Sequence, residues 1–179
     1  MLGLPMVKLE RFTQAQDARQ PGFREALREL RAGRKVSHWI WYVFPQLAGL
    51  GSSPMAVRYG IAGADEAAAY LRDPVLLPRL VSAAGAVREH LSSGPGGSGG
   101  RGAAARLDHI MGSDIDAQKL VSSMTLFRHV AAGLLAAEAR AEWAALVEHA
   151  DAILAAAAAE GYPRCAFTER QLGIDSPSS

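Results

Sequence analysis

The sequence predicts an all-α, single-domain protein built as a multihelical array. The chain has 179 residues, within the roughly 100–200 residues that one domain usually occupies. Apolar residues recur at helical spacing in several windows. Only one short run, residues 39–44, has the aromatic and branched side chains typical of a strand, and no similar run nearby could pair with it.

In the first half of the chain, the spacing predicts helices around residues 9–12 and 23–30, the second of which ends at Gly33. Ser53 with Pro54, and Asp73 with Pro74, are typical of a capping residue followed by proline in the first turn.

Two further helices follow from boundary residues. Asp65 is expected to open a helix that runs to Arg72, and Pro78 to divide a short first turn from a helix that runs to about Leu91. The last predicted helix covers residues 143–157 and is stopped by Gly161 and Pro163.

These elements predict one packed unit with short flanks. Residues 1–8 are expected to be an N-terminal tail, residues 9–165 a single helical domain, and residues 166–179 a C-terminal tail. Within the domain, residues 94–102 consist almost entirely of Gly, Pro and Ser, which predicts a flexible loop.

Composition excludes several classes of function. Nineteen Lys and Arg against eighteen Asp and Glu give a net charge of +1, so no global field favours a nucleic acid or a membrane surface. The longest uninterrupted apolar stretch, residues 152–159, is far shorter than the roughly 18–20 residues of a membrane span. The single Cys165 cannot form an internal disulfide, which favours a cytoplasmic location.

The densest cluster of functional side chains lies between residues 33 and 46. Arg34 and Lys35 supply cations, His38 a group that titrates near neutrality, and Trp39 and Trp41 stacking faces. This inventory suits a pocket for a small anionic or nucleotide-like metabolite, with His38 as the candidate catalytic acid or base if the protein is an enzyme. The alternative is structural, with the bases at a helix end and the tryptophans in the core.

A second cluster contains Ser122 and Ser123, with Asp114, Asp116 and Lys119 just before them. Hydroxyl groups at a helix start cap backbone N–H groups and can bind an anion there. We therefore take Ser122 and Ser123 as further ligand-binding candidates, with plain capping as the alternative.

The sequence offers no metal or cofactor motif. The five histidines are scattered without the spacing of a metal site. We expect no metal ligands and no cofactor.

Three hypotheses for function remain open at this stage. The first is the small-molecule site, with the reaction, if there is one, unspecified. The second is a non-catalytic interaction module in which the Trp-rich stretch or the Ala-rich last helix docks a partner or a second copy of the chain. In the third, both clusters are only core and caps.

The order of motifs also resembles a known family, the bacterial domain of unknown function 1810. The resemblance covers most of residues 9–130, and its most specific pieces are Ser37-His38-Trp39-Ile40-Trp41, Phe44-Pro45-Gln46-Leu47 and Ser122-Ser123-Met124-Thr125-Leu126-Phe127. It implies a mainly α-helical single domain and no particular reaction. The label calpastatin that some members carry denotes a long disordered inhibitor and does not fit this globular composition.

The chain departs from that family's pattern in three places. Asp73 replaces a histidine that often precedes the proline, the loop at 94–102 looks inserted, and the Ala-rich sequence after Val130 is hard to align.

Overall fold

A computed structural model describes residues 9–92 and 105–174, and over these residues it contains ten helices and no strand. The all-α prediction is therefore confirmed. The predicted tail at residues 1–8 and the predicted Gly-rich loop at residues 94–102 lie outside the described residues. The helices are α1 (Glu10–Asp17), α2 (Phe23–Arg31), α3 (Ile40–Val43), α4 (Pro54–Tyr59), α5 (Ala64–Tyr70), α6 (Leu76–Ser92), α7 (Leu107–Met111), α8 (Asp114–Ala137), α9 (Ala141–Ala159) and α10 (Ala166–Leu172).

Helix α8 lies at the centre of the fold. It packs against α9, α7, α5, α10 and α3, while α6 packs against α9 and α2. One contiguous hydrophobic core draws side chains from elements along the whole described chain, as expected for a single domain.

Several predicted helix boundaries are confirmed. The Ser53 hydroxyl accepts a hydrogen bond from the Ala56 N–H at 3.1 Å and caps α4. The Asp73 carboxylate accepts from the N–H groups of Val75 and Leu76 at 2.8 and 2.9 Å, just before α6. Gly33 follows α2 with a φ of 77°, which a residue with a side chain rarely adopts.

Other boundaries differ from the sequence prediction. No helix is predicted from sequence within residues 39–44, but this run contains the one-turn helix α3, which is held by buried contacts, and the described residues contain no strand to pair with it. Helix α5 begins at Ala64, so Asp65 lies inside its first turn. Helix α6 continues through Pro78, which lies in its first turn, where an N–H group would have no partner within the helix.

The C-terminal end of the domain also differs. Sequence analysis places a tail at residues 166–179, but residues 166–172 form α10, and this helix packs against α8 with Thr168 fully buried. The packed domain therefore extends beyond residue 165 to at least Leu172.

Helix α8 is also the one helix in the described ranges that is long and apolar enough to cross a membrane by length and composition. In its most apolar window, 56% of the residues are buried inside the protein. This is the pattern of a core helix of a soluble protein, whose apolar face packs against other helices.

Candidate functional site

Glu29, at the end of α2, fixes the conformation of the Trp-rich stretch. Its buried carboxylate accepts hydrogen bonds from the N–H groups of Val36 and Ser37 at 2.8 and 3.0 Å, from the Ser37 hydroxyl, and from the Trp39 indole N–H at 2.8 Å. Burial alone would raise the pKa of Glu29, but these hydrogen bonds outweigh it and hold the pKa at about 2. Ser37 and Trp39 therefore hold this stretch in its conformation through their hydrogen bonds to Glu29.

Lys35 and Lys119 share one carboxylate on α8. Lys35 Nζ lies 2.6 Å from one Asp116 oxygen, and Lys119 Nζ lies 2.9 Å from the other. Burial would raise the pKa of Asp116, but the hydrogen bonds from both lysines hold it below its usual value. Two ammonium groups against one carboxylate leave this group of three side chains with a net charge of +1.

A cavity of about 890 Å³ opens beside this charged group. Three parts of the chain form its walls: the segment from α3 to the end of α4, one face of α8, and residues 161–165 before α10. The side chains on which its chemistry depends are Trp41, Tyr59, Asp114, Lys119, Ser122 and Cys165.

The charged end of Lys119 contacts the aromatic ring of Trp41, which lies on the α3 side of the cavity. Lys119 Nζ lies 4.5 Å from the centroid of the Trp41 ring, within the range of a cation–π interaction. The Lys119 side chain is only 23% exposed. Trp41 and Asp116 thus position the ammonium group in the cavity wall.

Asp114 carries the negative charge of the cavity. Its carboxylate accepts hydrogen bonds from the Tyr162 hydroxyl at 2.7 Å and from the Gln118 amide at 2.8 Å. The bond to Asp114 raises the pKa of Tyr162 to about 12, so the phenol remains a donor at neutral pH. Asp114 is exposed, which places it on the solvent side of the cavity.

Hydroxyl groups and the thiol lie near the α10 end of the cavity. The Ser122 hydroxyl is 3.4 Å from that of Thr168. Burial raises the pKa of Cys165, and hydrogen bonds from Ser122, Thr168 and the first N–H groups of α10 lower it by more, so the net pKa lies below that of an ordinary thiol. Cys165 is half-buried and lines the cavity.

The structure brings together only part of the predicted site. Trp41 and Ser122, one from each sequence cluster, line the same cavity, and Lys35 lies behind its wall in contact with Asp116. Arg34 and His38 are exposed and do not line it. Trp39 is fully buried, and its indole contacts Phe44 in the core.

The two predicted serines differ from each other. Both lie in the middle of α8, and the residue that caps this helix is Ser113, whose hydroxyl accepts from the Asp116 N–H at 3.1 Å. The expectation that Ser122 and Ser123 begin a helix is therefore wrong. Successive residues of a helix point about 100° apart, so Ser122 reaches the cavity while Ser123 is fully buried, with no hydrogen-bond partner for its hydroxyl.

The sequence analysis placed Ser122 at a helix start, whereas it lies in the middle of α8 and lines the cavity. Asp114, Gln118 and Ser122 follow one another at i, i+4 and i+8, and this spacing could have shown that they share a face. Tyr162 and Cys165 lie after a different helix, and no local signal in the sequence marks them as wall residues.

Part of the surfaces named in the interaction hypothesis is buried inside the fold, while Ala144, Ala155 and Ala158 of α9 are exposed. Trp39 is buried, and α9 packs its buried side chains, including Trp143, against α6 and α8. Over residues 9–92 and 105–174, no group of three or more His, Cys, Asp or Glu side chains is arranged to hold a metal ion.

The fold and the cavity together define the class of protein. It is a single all-α domain with a cavity of about 890 Å³ whose wall carries both a positive and a negative side chain. The family model described as "Protein of unknown function (DUF1810)" matches residues 6–145. The chain therefore belongs to this family, as the sequence motifs indicated.

A solved structure shares the fold. The conserved hypothetical protein Rv1873 from Mycobacterium tuberculosis is 37% identical, with a TM-score of 0.63 and coverage of 93% of this chain and 97% of that one. The search of curated proteins found no match.

Proposed function

We propose that this protein binds a small anionic metabolite, with the acidic group of the ligand at Lys119. The observation that carries the proposal is the cavity of about 890 Å³, in which Lys119 is held between Asp116 and Trp41 and lies on the same wall as Ser122. The cytoplasmic location expected from the single free thiol, Cys165, is part of the proposal.

The size and lining of the cavity support a small-molecule ligand. Ligand pockets usually measure roughly 300–1,000 Å³ and combine apolar walls with a few placed polar groups. Here Trp41, Leu50 and Tyr59 provide the apolar contacts, and Lys119 and Ser122 the polar ones.

The charges favour an acid of low total charge. Lys35 and Lys119 together exceed Asp116 by one positive charge, and Asp114 adds one negative charge to the wall. Arg34, the guanidinium expected from the sequence, is outside the cavity. A carboxylate matches one ammonium group better than a polyphosphate does. Nucleotides nevertheless belong in the test, because Trp41 and Tyr59 offer aromatic surface.

The experiment is a thermal-shift screen of carboxylic acids, amino-acid derivatives and nucleotides. A ligand that binds the native state raises the melting temperature with its concentration. Cys165 gives a second readout: because it is the only cysteine and lines the cavity, a bound ligand should slow its alkylation by iodoacetamide, as followed by intact mass.

A pair of variants localises the binding. Lys119→Met should weaken binding of an acidic ligand roughly 10- to 100-fold, the usual effect of losing a hydrogen bond to a charged group. Arg34→Met removes an exposed base outside the cavity and should leave the Kd unchanged. Equal losses in both variants, or no acid that binds, would contradict the proposal.

The same assay separates His38 from the cavity. His38 is exposed and lines no part of it, so His38→Ala should bind the ligand with the wild-type Kd. A marked loss of binding in this variant would favour the assignment made from sequence over the one made from geometry.

A further inference from the structure

We infer that the ligand of this cavity is a zwitterion that carries an ammonium group several ångströms from its acidic group. The inference rests on the proposed function: it keeps the acidic group of the ligand at Lys119 and adds an ammonium group at Asp114. It follows from the charge, partners and spacing of Asp114 and Lys119.

Among the described residues, Asp114 is a carboxylate that forms no ion pair. Its hydrogen-bond partners, Tyr162 and Gln118, are neutral donors. The base beside Tyr162 is Arg106, which bonds Asp108. A carboxylate has about four lone-pair positions, of which these partners use two. The remaining positions can accept hydrogen bonds from a ligand ammonium group.

Lys119 has the opposite imbalance. Asp116 already receives the buried Lys35, whose side chain is only 5% exposed, so the charge of Lys119 is only partly neutralised. An ammonium group has three donors, and Asp116 accepts one of them from Lys119. A ligand carboxylate can accept another.

The two groups are spaced for a ligand that spans them. They are five residues apart on α8, which corresponds to about 7.5 Å along the helix axis and about 140° around it, and both line the same cavity. Each has its own hydrogen-bond partners, and no ion pair joins the two. Two residues of extended peptide span about 7 Å, and a ligand of that length can place its ammonium group at Asp114 and its carboxylate at Lys119.

The same charges act against other ligands. A simple anion that binds Lys119 faces the Asp114 carboxylate with no compensating cation, and like charges across a binding site reduce affinity. A simple cation that binds Asp114 faces the ammonium group of Lys119 with no compensating anion of its own. In the same cavity lining, Trp41, Leu50 and Tyr59 offer contact to an aromatic or aliphatic side chain.

Three compounds that differ in one charge each test the inference. Glycyl-phenylalanine has both charges, N-acetyl-glycyl-phenylalanine lacks the ammonium group, and glycyl-phenylalaninamide lacks the carboxylate. We expect the free dipeptide to bind at least 10-fold more tightly than either derivative in isothermal titration calorimetry, and to protect Cys165 from iodoacetamide most strongly.

The outcomes separate this inference from the proposed function. If the acetylated acid binds as tightly as the free dipeptide, or if an acid without an ammonium group binds while all three compounds fail, the ligand is not such a zwitterion and the proposed function stands. If no acid of any kind binds, both fail.

A variant assigns the preference to Asp114. In Asp114→Asn, the ratio of the two Kd values, acetylated over free, should fall from at least 10 to near 1, while the acetylated acid binds at least as well as before. Asp65→Asn is the matched control, because Asp65 is also an exposed acid in the first turn of a helix but lies outside the cavity. A ratio that survives in Asp114→Asn would overturn the inference, provided that circular dichroism shows a folded variant.

Discussion

At the scale of single residues, Glu29 is a buried carboxylate that accepts hydrogen bonds from four donor groups. Its side chain is 3% exposed and accepts from backbone, hydroxyl and indole donors that lie within residues 36–39. Each of those donors would lose its partner if the carboxylate were removed. The stretch that begins the cavity wall therefore depends on this one acid.

Glu29→Gln should lower the free energy of unfolding by roughly 2–4 kcal/mol, because an amide keeps one acceptor oxygen and turns its NH2 toward groups that are themselves donors. Urea unfolding measured by circular dichroism checks this. Glu25→Gln on the same helix, which removes a surface pair with Arg28, should cost less than about 1 kcal/mol. Similar losses in the two variants would show that Glu29 has no special role.

Residue chemistry explains which predictions from sequence failed. Trp39 and Trp41 are two positions apart and look equivalent in the sequence, yet the first donates to Glu29 in the core and the second faces Lys119. Arg34 and Lys35 differ in the same way, since only Lys35 reaches Asp116. These choices depend on partners from distant parts of the chain, and local sequence does not contain them.

At the scale of elements, the turn between α7 and α8 sets where α8 stands relative to Lys35. Gly112 has a φ of +77°, and a Cβ placed there would lie 2.6 Å from the Lys35 carbonyl oxygen. The Lys35 N–H also donates to the Ile110 carbonyl at 2.7 Å. The turn thus holds the loop and the helix together.

Gly112→Ala and Gly133→Ala should have opposite effects. At Gly112 the left-handed backbone and the close carbonyl make alanine destabilising by more than about 1 kcal/mol. Gly133 is exposed on α8 with open space around it, so alanine should stabilise the helix by roughly 0.5–1 kcal/mol. Melting temperatures of the two variants check the signs, and a stabilised Gly112→Ala would contradict the described turn.

Helices whose signals are local were predictable from the sequence. The caps at Ser53 and Asp73 were found because their hydroxyl and carboxylate groups bond N–H groups two or three residues away. The one-turn α3 was not found, because its aromatic residues favour a strand and only tertiary contacts override that preference.

At the scale of the whole molecule, two carboxylates couple stability to acid. The pKa of Glu29 is lowered from 4.5 to about 2, and that of Asp116 is also lowered. A carboxylate whose pKa is lower in the folded state stabilises the protein above its unfolded pKa, and that stabilisation is lost as pH falls through the folded value.

The free energy of unfolding should therefore decrease between pH 4.5 and about 2, with about 3 kcal/mol of the decrease due to Glu29. Urea titrations at several pH values check the slope. The Glu29→Gln variant should lose that component and show a flatter profile over the same range. A variant profile that parallels the wild type would show that another group causes the acid sensitivity.

Some of the side chains that line the cavity could be predicted from the sequence, but their meeting in one place could not. Trp41 and Ser122 were recognised as candidates on chemical grounds, and both line it. Their meeting depends on how α3 packs against α8, which no periodicity within either segment encodes. Arg34 and His38 have suitable chemistry, but both are exposed and neither lines the cavity.

Some residues of the cavity wall lie inside the stretch that the family model matches, and others lie after it. Trp41, Asp114 and Lys119 fall within residues 6–145, the part that the family model describes, whereas Tyr162 and Cys165 come after it. Changes at residues 161–165 would reshape their part of the wall, and a change of Tyr162 would also remove a hydrogen bond that Asp114 accepts. Substitutions at Pro163 and Cys165 would therefore alter the shape of the cavity while Lys119 keeps its contacts with Asp116 and Trp41.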